Sequence, residues 1–143
     1  MTFEQKIRSL CAAAGWTELD AIDEDLIEIP FAWEDDEIAI YVEQIEDGRG
    51  KALLSLATSE LPWPEFDDEH EAADFFQETL HLLLQRNGNL YWGFWGIEED
   101  ENGAEHFCLF FNAPLASVDE DLFEHVVSEI LAEFAIVLDE LYE

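Results

Sequence analysis

Apolar positions at the start of the chain recur at three- and four-residue spacing. Phe3, Ile7, Leu10, Cys11 and Ala14 fall on one face of a helix over residues 2–14. Thr2 and Gln5 match a capping box, and Gly15 stands where that helix should stop. Alternating segments follow. "DLIEIPF" (25–31) is short, and its Pro30 marks an edge or a strand end. "EIAIYVEQIE" (37–46) sets Ile38, Ile40 and Val42 against Ala39, Tyr41 and Glu43, and "KALLSLATS" (51–59) supplies the next strand. Asp47-Gly48 between them is a hairpin signal, because glycine tolerates positive φ. "LPWPEFDDEHE" then ends the run of strands: the prolines flanking Trp63 cannot continue a ladder.

A second helix is predicted over 68–86, with Ala72, Phe75, Phe76, Thr79, Leu80 and Leu83 as its stripe. The acids of "DDEHE" sit at its N-terminus, where they complement the helix dipole, and Asn87-Gly88 ends it. "LYWGFWGIEEDENG" (90–103) and "GAEHFCLFFNAPL" (103–115) read as two further strands joined at Asn102-Gly103, the strongest turn signal in the chain. Ser117 and Glu120 form a capping box before a last helix over 119–142. Its apolar rows are Leu122, Val126, Ile130, Phe134, Leu138 and Phe123, Val127, Leu131, Ala135, and its C-terminal half is apolar over more than one stripe. The order α-β-β-β-α-β-β-α describes an α+β domain over residues 1–143, two-layered, with helices packed on a five-stranded antiparallel sheet.

The stretch 90–97 breaks the expected alternation, because it is apolar on both faces of a strand. With Asn102-Gly103 as a two-residue turn, Ile97 faces Cys108 and Trp95 faces Phe110 on one side, while Gly96 faces Leu109 and Phe94 faces Phe111 on the other. Trp92 and Phe94 then share the face opposite Trp95. One face packs on helices, and the other needs a cover as well, since large exposed apolar patches are unusual on a monomer. That cover is either another part of this chain or a partner. The candidate client or dimer surface is Trp92, Phe94, Trp95, Phe110 and Phe111, with Phe134 and Leu138 from the last helix.

The element order, the size and the segment running from "LHLLLQRNGNLYWGFWG" to "FEHVVSEILAEFAIVLDELY" together resemble the class I type III secretion chaperone fold and the similar YbjN-like domains. In both, a helix ending in a pattern matched by Leu83, Leu84 and Asn87 precedes two strands, a loop matched by Leu115 and Val118, and a long C-terminal helix. The resemblance spans nearly the whole chain and implies an α+β fold, homodimerisation and non-catalytic binding of a protein or peptide client. The chain departs from the secretion chaperones in its greater acidity and in the "WGFWG" strand.

Composition changes the picture mainly through charge. Thirty-six acidic residues face five basic ones, for a formal charge of −31. Such a surface repels nucleic acid phosphates and anionic lipid and favours a basic partner. It is open to three readings: a solvated surface, an acidic chaperone or adaptor surface, or a nucleic-acid mimic that inhibits a DNA-binding protein. Cys11 and Cys108 stand alone, which fits a reducing compartment, and no signal-peptide core or membrane-length apolar run is present, so a cytoplasmic protein is expected.

Catalytic and metal chemistry finds little support. Glu98, Asp100, Asn102 and Gly103 fall at positions 1, 3, 5 and 6 of a calcium loop, but position 12 is Leu109 where a bidentate carboxylate is required. His70, His81, His106 and His125 form no zinc-ligand spacing, and no nucleophile elbow or phosphate-binding loop occurs. No catalytic residue, metal site or cofactor is expected.

Overall fold

A computed structural model describes residues 1–142. Helix α1 (Phe3–Ala14) begins on the anticipated capping box, with the Thr2 hydroxyl accepting from the Gln5 N–H and the Gln5 side chain returning to the Thr2 N–H. It ends at Gly15, whose φ of +83° lets two carbonyls of the last turn be satisfied. Phe3, Ile7, Leu10 and Cys11 are its buried residues.

The strands are β1 (Asp20–Asp23), β2 (Leu26–Trp33), β3 (Asp36–Glu46), β4 (Ala52–Thr58), β5 (Phe94–Glu99) and β6 (Glu105–Pro114). Among the described residues they form one six-stranded antiparallel sheet in the order β1-β2-β3-β4-β6-β5. The expected five strands are therefore joined by β1, "DAID". All four of its residues are exposed, so it joins the sheet through backbone bonds and carries no hydrophobic pattern. Pro30 is tolerated inside β2 for a geometric reason. Its partner Ala39 accepts from the Ser59 N–H and donates its own N–H to the Ser59 hydroxyl on the far side, so Pro30 turns its nitrogen away from β3. β1 has stopped pairing by that point, and the missing N–H is not needed.

Two hairpins share one turn. Asp47 N–H donates to the Lys51 carbonyl and Asp100 N–H to that of Ala104, while Gly50 and Gly103 donate back to Asp47 and Asp100. In each turn the aspartate Oδ1 accepts from two further backbone N–H groups, those of Arg49 and Lys51 or of Asn102 and Ala104. The glycine in the fourth position has a φ of +78° or +81°. The working glycine of the first turn is thus Gly50, in place of the Asp47-Gly48 pair that the sequence suggested. The second turn has a larger consequence. The carboxylate of Asp100 extends the loop beyond the two residues expected and moves the register by one. Phe94 faces Phe110, Trp95 faces Leu109, Gly96 faces Cys108 and Ile97 faces Phe107.

Helix α2 (Glu69–Asn87) is capped by Asp68, whose side chain accepts from the Glu71 N–H at 2.7 Å. A short 3₁₀ turn (Leu115–Ser117) leads into α3 (Glu120–Tyr142). Its N-terminal acceptor is Asp119, taking the Leu122 N–H at 2.8 Å, so the expected Ser117–Glu120 capping box is replaced. All three helices lie on one face of the sheet. Trp16, just after α1, packs edge-on to Phe31 and against Phe123, Phe76 of α2 packs on Phe107, and Phe134 of α3 stacks on Trp95. The core between the layers includes Ile27, Ile29, Ile40, Val42, Leu54, Leu56, Leu109, Val126, Ile130 and Val137. Burying such side chains contributes about 1.5–3 kcal/mol each, and the helix-facing side of the sheet is their floor.

Candidate client-binding face of the sheet

Strand alternation sends every second residue to the side away from the helices. Across the middle of that side the ladders align one row: Glu28 opposite Tyr41, Tyr41 opposite Ala57, Ala57 opposite Phe110, and Phe110 opposite Phe94. The rings of Phe110 and Phe94 stack at 5.7 Å between centroids. Phe94 is 44% exposed, and Tyr41, Ala57 and Phe110 beside it are half-buried, on the side of the sheet away from the helices. The small side chain of Ala57 between Tyr41 and Phe110 leaves a concavity of about 810 Å³. Glu43 lies toward one side of the row, and Glu60, Glu98, Glu99, Asp100 and Glu101 lie toward the other.

The two glycines of the "WGFWG" strand are explained by Phe110. Gly93 has a φ of +86°, and a Cβ there would lie 2.8 Å from the Phe110 carbonyl oxygen. A Cβ at Gly96 would lie 3.0 Å from the edge of the Phe110 ring. The first glycine brings the chain past the backbone of β6, and the second lets the ring lie across the neighbouring strand.

The seven residues proposed from sequence divide between two places. Phe94 and Phe110 lie on the open face. Trp95, Phe134 and Leu138 are buried beneath it in the helix-facing core. Phe111 points to the helix side opposite Leu56, and the half-buried Trp92 packs on Phe111 at 6.2 Å and on His125 at 5.5 Å. Trp92 was expected to share the face of Phe94. It does not, because the positive φ of Gly93 interrupts the alternation and β5 begins only at Phe94.

Sequence reasoning missed the polar cluster that anchors Trp95. Glu133, buried on α3, receives Arg86 Nε at 2.7 Å and Nη2 at 2.5 Å, and Trp95 Nε1 donates to it at 2.8 Å. The Asn87 side chain clamps the backbone of Trp95 from both sides, accepting its N–H at 2.6 Å and donating to its carbonyl at 3.1 Å. A readable signal existed: Glu133 continues the spacing of Val126, Ile130 and Val137 and is an acid within an apolar stripe.

The ionisable groups at the rim have no activated nucleophile among them. His106 Nε2 lies 2.9 Å from Asp100 Oδ2, and Glu60 stands 3.2 Å from Nδ1 without hydrogen-bond alignment. The hydrogen bond from His106, with backbone N–H groups of the turn, holds the Asp100 carboxyl below its usual range. Cys108 is fully buried, and burial, then the nearby Glu98 and Glu60 carboxylates, push its thiol up to about 12. A thiol held protonated is a poor nucleophile. Among the described residues, no three His, Cys, Asp or Glu side chains converge to hold a metal ion. The would-be calcium loop is a hairpin turn in which Asp100 is occupied by its own backbone. Among the described residues, no helix is long and apolar enough to cross a membrane.

Among the described residues, a six-stranded antiparallel sheet with three helices on one side and a half-exposed apolar row on the other defines an α+β scaffold. Comparison with known proteins places that scaffold. A chain in the crystal structure of the ExsC–ExsE complex matches with a TM-score of 0.57 at 12% identity, over 99% of this chain and 97% of that one. ExsC is a type III secretion chaperone, and the fold of this chain is type III secretion chaperone-like. No protein-family model and no curated protein matches the sequence.

Proposed function

We propose that the chain is a non-catalytic, chaperone-like domain that binds a segment of another protein, acting as a cytoplasmic homodimer in the manner of class I secretion chaperones and YbjN-like domains. The observation that carries this reading is the uncovered apolar row of the open face, on a fold shared with a chain from a chaperone complex. The homodimer has separate support. Leu84, Tyr91, Ile97 and Ile136 are exposed apolar residues on α2, the α2–β5 loop, β5 and α3; β5 is a free edge of the sheet, α2 packs beside it, and Tyr91 and Ile136 line one hollow. A second copy pairing there would cover them and leave the open face free.

The test has two parts. Light scattering should give twice the 16.5 kDa chain mass, and Leu84→Glu should reduce it to one. Affinity purification from the native host should recover a protein that Phe94→Lys, folded by circular dichroism, no longer retains. A monomer with no such protein would refute the proposal.

A further inference from the structure

The open face also carries information about the chemistry of what it binds. Neighbouring strands are ~4.8 Å apart, so the row Tyr41, Ala57, Phe110, Phe94 spans roughly 14 Å. Same-side residues of an extended segment repeat every ~6.7 Å, so two or three apolar side chains fill the row. Outside it the rim is carboxylate on both sides, with Glu43 on one and Glu60 and Glu98 on the other. The field of Glu60 and Glu98 reaches the floor. The phenol of Tyr41 is raised by burial and then by Glu28 and Glu60, and the thiol of Cys108 by burial and then by Glu98 and Glu60.

The chain has little of its own to answer that charge. Arg86 is committed to Glu133, Arg8 to Glu4, and Lys6 Nζ donates to the Leu115 carbonyl. Of the five lysines and arginines, Arg49 and Lys51 make no side-chain bond to another described residue; both lie at the β3–β4 turn, at the end of the sheet beyond Glu43. A second copy laid face to face would set Glu43, Glu60 and Glu98 against acids of the same sheet face, and nucleic acid or an anionic membrane would be repelled.

We propose that the open face takes a basic segment of a partner protein, in which two or three apolar residues are flanked by lysine or arginine. The apolar side chains lie on the Phe110 row. The cations reach the rim on their flexible stems, and an arginine at the row's end also meets the faces of Phe94 and Phe110. This inference rests on the protein-binding reading and adds to it the chemistry of the bound segment.

Three fluorescein-labelled synthetic peptides test it by anisotropy at 150 mM NaCl: Leu-Ser-Phe between paired arginines, the same core between paired glutamates, and paired arginines around three serines. The first should bind and the other two should not. The triple variant Glu43→Gln, Glu60→Gln, Glu98→Gln should weaken binding about tenfold or more, the sum of three exposed charge contacts. Glu124→Gln, Glu129→Gln, Asp139→Asn removes as much charge from the exposed side of α3 and should change affinity less than about twofold, because such charges are screened beyond a Debye length. Circular dichroism establishes that both variants are folded. Equal loss in the two triple variants would reduce the effect to net charge and overturn the inference, as would equal binding of the serine peptide. If no peptide binds while a native partner is still recovered and still lost on Phe94→Lys, the protein-binding reading stands and the basic-segment inference falls.

Discussion

Arg86→Met should be among the most damaging single changes in the protein, although Arg86 lies at the end of a helix in a chain with few cations. The Glu133 side chain is 8% exposed and receives two bonds from Arg86 and one from Trp95. Removing the cation strands a carboxylate between α2, α3 and β5, and breaking one side of a buried pair costs ~3–5 kcal/mol. The remaining Trp95 Nε1–H donor keeps the expected loss near the lower bound, about 3 kcal/mol. The contact between Arg86 and Glu140, 3.6 Å and partly exposed, adds well under ~1 kcal/mol. Removing the anion instead should cost less. In Glu133→Leu, Arg86 can turn toward Glu140 and solvent, and only the indole N–H loses its partner, at ~1–3 kcal/mol. Replacing both residues, Arg86→Met with Glu133→Leu, should resemble Glu133→Leu alone. Urea unfolding followed by tryptophan fluorescence and far-ultraviolet circular dichroism measures all three. A loss below ~1 kcal/mol for Arg86→Met, or a larger loss for Glu133→Leu than for Arg86→Met, would show that the buried pair does not hold α2 and α3 to β5 as argued.

Trp95→Lys should unfold the protein, since losing a buried large aromatic costs ~3–5 kcal/mol before the charge is counted, whereas Phe94→Lys one residue away should keep native circular dichroism. Native circular dichroism in Trp95→Lys would place that ring outside the core. Cys11, raised by burial to about 11, and Cys108, raised to about 12, should both resist iodoacetamide at pH 8 in the folded state and react only at the rate of unfolding. Fast labelling of either without urea would contradict its burial. The carboxyl of Asp100 is held low, so its stabilisation is present above the ordinary carboxylate range and lost as pH falls through its own depressed value. The difference in urea midpoint between wild type and Asp100→Asn should therefore be fully present at pH 5 and shrink toward pH 2; a difference that grows in acid would reverse the sign. Raising NaCl from low to molar concentration should raise the melting temperature, because it screens repulsion among carboxylates at a net charge of −31, and a flat curve would mean they are spaced too widely to matter.

Elements with their own periodicity and caps could be read from the sequence. The row Phe3, Ile7, Leu10, Cys11 between Thr2 and Gly15 specifies α1 without help from the rest of the chain, and the doubled apolar rows of α3 specify a helix buried along much of its length. β1 was not legible because its contribution is backbone pairing alone, with all four side chains in solvent. The register of the last hairpin is not legible from the Asn102-Gly103 pair, because the aspartate two residues before Asn102 determines how many residues the loop takes. The same Asp-x-x-Gly pattern at 47–50 and 100–103 was available as a warning. At the site, alternation correctly separated Phe94 from Trp95. It failed for Trp92, since the conformation of Gly93 depends on a close approach to β6 that no local pattern encodes.

The apolar character of both faces of β5 at Phe94–Ile97 thus has two physical causes. Toward the helices, Trp95 is fastened by its indole N–H, its backbone and its stack on Phe134. This fixes β5 rigidly enough to carry rings on its other side. Toward solvent, Gly96 leaves the gap over which the Phe110 ring lies, and cross-strand cover of a glycine by an aromatic ring pins register in antiparallel sheets. That use alone would explain Phe110, but it does not require Phe94, stacked beyond it at 44% exposure, or Tyr41 two strands away in the same row. A row of rings whose positions are set from below is preorganised, so a bound segment would not have to order them. The buried cluster around Glu133 and the open row are therefore linked through one strand. A change that loosens Trp95 without unfolding the chain, such as Asn87→Ala, should weaken binding at Phe94 and Phe110 even though Asn87 lies on the opposite side of the sheet.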